Sequence, residues 1–151
     1  PSLVGVFSHD WRVQIAALHR HAWLDAAGCV AVSRQWWFGR MIANSDMHPG
    51  NVAFRPVAAD GQRSARPRFE PTPAYDMLPM AYAPITSGEM REPDFDPPMP
   101  QPAEFADWHA AAEAAIVFWT TVAETPHIET ALRRAGEANA RTLERRAAQI
   151  G

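Results

Sequence analysis

The sequence predicts a mainly α-helical domain with one small β-hairpin. Apolar residues recur at helical spacing in four stretches, two short strand-like runs flank a polar Asp60-Gly61 segment, and a proline-rich stretch separates the early helices from the late ones. At 151 residues and 47% hydrophobic content, the chain has the size and apolar content of a single domain.

Residues 10 to 26 place Trp11, Ile15, Leu18 and Ala22 on one helical face, with Asp10 suited to cap the start and Gly28 to end it. A second helix is predicted from about Val30 to Ala43, where Val30, Trp37 and Met41 fall on one side and Trp36 on a neighbouring one. So much tryptophan implies burial on more than one face. Beyond it, Asn51-Val-Ala-Phe-Arg-Pro56 and Arg68-Phe-Glu-Pro71 read as a hairpin with a long tip. From Pro84 to Pro102 six prolines and several acids predict a loop or strap lying over the surface. Two helices close the chain. Phe105, Trp108, Ala112, Ala115, Trp119 and Val122 mark the first; Ile128, Leu132, Ala135, Leu143 and Ala147, after Pro126, mark the second.

Composition excludes several function classes. One cysteine, Cys29, leaves no disulfide framework and no multi-cysteine zinc site, as suits a reducing cytoplasm. No apolar run approaches the ~20 residues needed to span a bilayer, so a soluble protein without a membrane partner is expected. A net charge of -3 gives no broad attraction to nucleic acid. All 14 basic residues are arginine, so no lysine is present to grip phosphates. The chain starts at Pro1 rather than at a methionine, and a piece of a longer protein is expected.

The chemistry concentrates in Ile42-Ala-Asn-Ser-Asp-Met-His-Pro-Gly-Asn51. Asp46 and Asn51 stand five apart, after an apolar helix and before a strand-like run. Phosphotransferases of the protein-kinase fold use that spacing: the Asp orients the substrate hydroxyl and accepts its proton, and the Asn holds a metal ion. Magnesium, a hard cation, calls for a second oxygen donor. Asp76, in Pro73-Ala-Tyr-Asp-Met-Leu-Pro79, is the candidate, delivered beside Asn51 by the returning strand of the hairpin.

The two motifs, Asn44-Ser-Asp-Met-His-Pro-Gly-Asn51 and Ala74-Tyr-Asp-Met-Leu-Pro79, resemble the C-terminal region of the HipA-like serine/threonine kinases, and their wording is that of the YjjJ-type branch of this family. The resemblance implies that residues 1–151 form the C-terminal, helical lobe of a protein-kinase-like fold. It implies ATP and Mg2+ as cofactors, Asp46 as catalytic base, Asn51 and Asp76 as metal and cofactor ligands, and His48 and Asn44 as residues shaping the catalytic loop. A protein Ser/Thr hydroxyl would be the substrate, and the cell context that of a cytoplasmic toxin. An antitoxin or a DNA-associated partner would bind through regions outside this chain. The family's glycine-rich loop, ATP-contacting lysine and hinge are not recognisable here, and Ser2-Leu-Val-Gly-Val-Phe7 is too short to replace them, so these residues alone should be inactive. The string Asp46-Met-His-Pro-Gly-Asn51 is also similar to the catalytic loop of aminoglycoside and choline phosphotransferases, and a third reading makes the fold a non-catalytic scaffold in a DNA-associated complex.

Other features carry blander expectations. His19 and His21, two apart, point different ways on a helix and make a poor metal pair. The six tryptophans are expected in the core, the Arg133, Arg134, Arg141, Arg145 and Arg146 face in solvent, and the acidic strap from Glu89 to Asp96 as a solvated loop.

Overall fold

The computed structural model describes residues 11–57 and 67–150. Four α-helices and two short strands make up the chain: α1 (Trp11–Arg20), α2 (Ala26–Met41), β1 (Phe54–Pro56), β2 (Phe69–Pro71), α3 (Phe105–Glu124) and α4 (Thr130–Ile150), with single 3₁₀ turns at Pro49–Asn51, Met80–Tyr82 and Pro102–Glu104. The mainly helical class with one hairpin is therefore observed. The chain divides into two units, one running up to Trp36 and resuming over Met47–Asp76, the other comprising Trp37–Asp46 and everything from Met77 on.

In the first unit, α1 stops earlier than its apolar spacing suggests. The Trp23 N–H bonds to the Leu18 carbonyl at 3.0 Å and the Ala22 N–H to the His19 carbonyl at 2.8 Å, with Ala22 at a φ of +55°. This is the reversal that usually recruits glycine, built here on an alanine. Gly28, expected to end the first helix, lies instead in the first turn of α2. Asp25 caps that helix, its Oδ1 accepting the Gly28 N–H at 2.8 Å. A side chain at position 28 would come within 2.4 Å of Leu24 Cδ1, so glycine is kept there by packing rather than by a turn. Asp10 and the Asp60-Gly61 tip lie outside the described residues.

β1 and β2 pair antiparallel with Phe54 opposite Pro71, Arg55 opposite Glu70 and Pro56 opposite Phe69. Arg55 and Glu70 form an exposed ion pair at 2.5 Å, of a kind worth at most about 1 kcal/mol. Phe69 also donates its N–H to the Trp23 carbonyl at 2.8 Å, bridging Leu24 in parallel, and Arg12 lies over the Trp36 ring at 3.9 Å. Trp11, Ile15, Leu24, Val32 and Trp36 are buried, whereas Val30, expected on the buried side of α2, is exposed.

The core of the second unit lies on α3 and α4. Trp108, Ala112, Ala115, Trp119, Ala140 and Leu143 are buried, as are Trp37, Met41 and Ile42 at the end of α2. Small residues let the helices close: a Cβ on the buried Gly136 of α4 would stand 2.8 Å from the Trp119 carbonyl of α3. Trp119 Nε1 donates to the Met41 carbonyl at 2.9 Å, satisfying one of the carbonyls that a helix leaves unbonded at its C-terminus. Five of the six tryptophans are under a tenth exposed, which places them in the core as expected. Among the described residues no helix is long and apolar enough to cross a membrane.

Residues 83–101 form no helix or strand, in line with their prolines. The strap is more firmly held than a solvated loop. Arg146 of α4 bonds to the Asp96 carboxylate and the Pro97 carbonyl, Trp108 Nε1 donates to the Pro98 carbonyl at 3.2 Å, and Phe95 meets the edge of Trp119. Arg146 is thus taken up by the strap rather than by solvent.

Candidate active site

The segment of interest begins where α2 ends. The Asn44 N–H bonds to the Gly39 carbonyl at 2.9 Å and the Ala43 N–H to the Arg40 carbonyl at 3.3 Å, with Ala43 at a φ of +58°. This second alanine-built reversal turns the chain out of the helix. Ala43 in turn accepts from the Ala81 N–H at 3.0 Å. Asn44 is buried at 3% exposure; its Oδ1 takes the Asp46 N–H at 2.9 Å, and its Nδ2 faces Met77 Sδ at 3.9 Å. An Asn that bonds the backbone two residues on imposes a tight turn. Asp46 follows with its side chain exposed. Asn44 and Asp46 belong to the second unit.

His48, Asn51 and Asp76 belong to the first. His48 caps the 3₁₀ turn Pro49–Asn51, its Nδ1 accepting the Gly50 N–H at 3.0 Å. An accepting Nδ1 leaves the proton of the neutral ring on Nε2. The His48 carbonyl accepts from Trp11 Nε1 at 3.2 Å, so the first residue of α1 fixes the entry to this turn. Asn51 is buried at 5% exposure, and its N–H closes on the His48 carbonyl at 3.0 Å.

The hairpin then carries the chain back. Thr72 bonds to the Ala53 carbonyl through its N–H at 2.9 Å and its hydroxyl at 3.2 Å, and the Thr72 carbonyl accepts from Gln35 Nε2 of α2 at 3.1 Å. Three residues on, the Tyr75 hydroxyl donates to the Gly50 carbonyl. The residue before Asp76 is thereby tied to the residue before Asn51. Asp76 itself is exposed and sits at a φ of +54°, a conformation costing roughly 1–2 kcal/mol for most L-residues and tolerated best by Asn and Asp. Strain of this kind, held by surrounding bonds, is concentrated at functional positions.

Neither a family model nor a solved structure matches the chain. Among curated proteins, 119 residues align at 38% identity with Toxin YjjJ of Escherichia coli strain K12, covering 77% of this chain. The chain is similar to a bacterial toxin. It spans a quarter of the length of that relative. The similarity to YjjJ agrees with the branch that the wording of the two motifs resembles.

Four side chains that tie these segments together, Tyr75, Thr72, Trp11 and Gln35, escaped the sequence reading. Tyr75 stands inside a motif already singled out, and its aromatic ring next to the acid was the available signal. Trp11 and Gln35 reach His48 and Thr72 across 37 residues of chain each, and no local pattern announces such contacts.

Proposed function

We propose that this chain carries the catalytic residues of a HipA-like serine/threonine kinase that acts as a toxin, transferring the γ-phosphoryl of ATP to a protein hydroxyl in a Mg2+-dependent reaction. The observation that carries this reading is the Tyr75–Gly50 hydrogen bond, which ties the Tyr-Asp-Met-Leu-Pro motif to the His-Pro-Gly-Asn motif within one unit. Similarity to a protein named as a toxin supports the biological role. Asp46, exposed on its Asn44-bonded turn, orients the acceptor hydroxyl and takes its proton. Asn51 and Asp76 would hold a magnesium ion.

The donor set suits that ion. An amide oxygen and a carboxylate are hard ligands, and magnesium is commonly held by one or two carboxylates, with phosphate oxygens and water completing its shell. Among the described residues no group of three or more His, Cys, Asp or Glu side chains is arranged to hold a metal ion, so phosphate oxygens and water would have to complete the shell. When bound, the ion neutralises charge developing on the phosphates. The chain's own contribution is positioning: Tyr75 and Thr72 fix the approach to Asp76, and Trp11 and His48 fix the turn that presents Asn51. An antitoxin partner and a cytoplasmic setting belong to the same proposal.

The test uses Asp46→Asn and Asp76→Asn in the full-length protein. Both side chains are exposed, so melting temperature should stay within a few degrees of the parent. ATP consumption and phosphate incorporation into protein should fall by at least about 10³-fold. Growth arrest on expression should disappear with them. Undiminished turnover in both variants would remove the catalytic assignment.

A further inference from the structure

A cleft of about 440 Å³ opens in the second unit between α4 and the strap, within the roughly 300–1,000 Å³ of small-ligand sites. Tyr82 and Asn139 line it, 5% and 3% exposed, with Asn139 Nδ2 donating to the Tyr82 oxygen at 2.8 Å. Among the described residues neither side chain has a second hydrogen-bond partner. Their bond leaves the Tyr82 O–H as a donor and Asn139 Oδ1 as an acceptor. If the amide is turned over, the roles exchange and one donor and one acceptor still remain. The remaining donor and acceptor line a cleft and are available to an occupant. Burial pushes the Tyr82 phenol above its ordinary pKa, which keeps its proton available to donate.

The strap forms the opposite wall. From Met90 to Asp94 its backbone bonds to no other backbone group among the described residues, which leaves four N–H groups, Pro93 having none, and five carbonyls without a backbone partner. Its mouth holds charges of both signs, Arg91 and Arg134 with Glu92 and Asp94, none in an ion pair with a described residue. Apolar surface comes from Leu132, Ala135 and Phe95.

We propose that this cleft binds a short extended peptide segment carrying both an acidic and a basic side chain. In an extended peptide the N–H and C=O of one residue face the same side, a donor and an acceptor complementary to the Tyr82–Asn139 pair. Further amides bond to the strap, as in recognition of extended peptides by open main-chain edges, and the two side chains meet charges of opposite sign at the mouth. The site is built from other residues than those of the proposed phosphoryl transfer, and its test is independent of ATP.

The experiment titrates the full chain with a pool of acetylated, amidated tripeptides containing one acidic, one small and one basic residue, followed by amide and side-chain NMR. Saturable shifts of the Asn139 side-chain NH2 signal are expected. The strongest member should lose affinity by about tenfold or more when its central amide is N-methylated, since a lost bond to a buried polar group costs at least that much. Arg134→Glu, an exposed change that leaves the core untouched, should weaken it comparably, and Asn139→Ala should abolish the saturable shifts of the strap's backbone amides. No saturable shift at Asn139 across the pool overturns the proposal, as does equal affinity for the N-methylated peptide or for Arg134→Glu.

Discussion

Individual residues in this chain do work usually given to other amino acids. Ala22 and Ala43 both occupy left-handed backbone at helix C-termini, with φ of +55° and +58°, where glycine is preferred. Each stores strain of roughly 1–2 kcal/mol, the penalty that a Cβ brings to this conformation. Ala43→Gly should therefore raise stability by roughly 0.5–1 kcal/mol, part of the relief being offset by the greater freedom of glycine in the unfolded chain. Chemical denaturation checks the sign, and a loss of stability would show that the Ala43 methyl group packs favourably. Gly28 teaches the converse lesson. It looked like a helix stop and proved to be a packing glycine beneath Leu24, because composition names the residue but not the backbone angle it adopts. Asp46, Asn51 and Asp76 are singled out as candidates by spacing and motif wording. Their supports, Trp11, Gln35 and Thr72, are not, since each acts through a backbone carbonyl or N–H that any sequence supplies.

At the scale of elements, periodicity located all four helices and the hairpin but misplaced their ends. The first two helices were read as 10–26 and 30–43 and are Trp11–Arg20 and Ala26–Met41; side-chain spacing does not register a backbone reversal, and Ala22, at helical spacing from Leu18, sits exposed in one. The α3–α4 pair shows what a small residue contributes. Gly136 brings α4 against the backbone of α3, where an added Cβ would stand 2.8 Å from the Trp119 carbonyl oxygen. Alanine is the better helix former by up to about 1 kcal/mol, yet Gly136→Ala should destabilise by about 1–3 kcal/mol, because the carbonyl cannot move without shifting α3. A lowered urea midpoint with unchanged slope is the expected result. The strap belongs to the same scale. Its prolines announced the lack of regular structure, while the anchors at Trp108 and Arg146 depend on residues as much as 50 positions away.

For the molecule as a whole, stability is tied to pH through Tyr82. Burial raises its pKa above the ordinary phenol value, with the Asn139 hydrogen bond opposing more weakly. The folded state therefore holds this proton more tightly than the unfolded one. The stability it contributes is present in full below the unfolded pKa of about 10 and is lost as pH rises through the folded value. Denaturation midpoints should fall above about pH 10, and Tyr82→Phe should remove part of that fall. A Phe variant with the same alkaline slope as the parent would assign the loss to other groups.

By itself the sequence determined the mainly helical class, the hairpin, the burial of the tryptophans and the resemblance on which the proposed chemistry rests, because these follow from periodicity, side-chain hydrophobicity and motif spacing. Only the tertiary structure decided where the helices stop, which glycines are packed, how the strap is tied down, and that Tyr75 joins the two motifs at Gly50. The division follows from range: periodicity is written in neighbouring residues, whereas helix-ending reversals and long-range hydrogen bonds depend on backbone angles and partners that come together only when the chain folds.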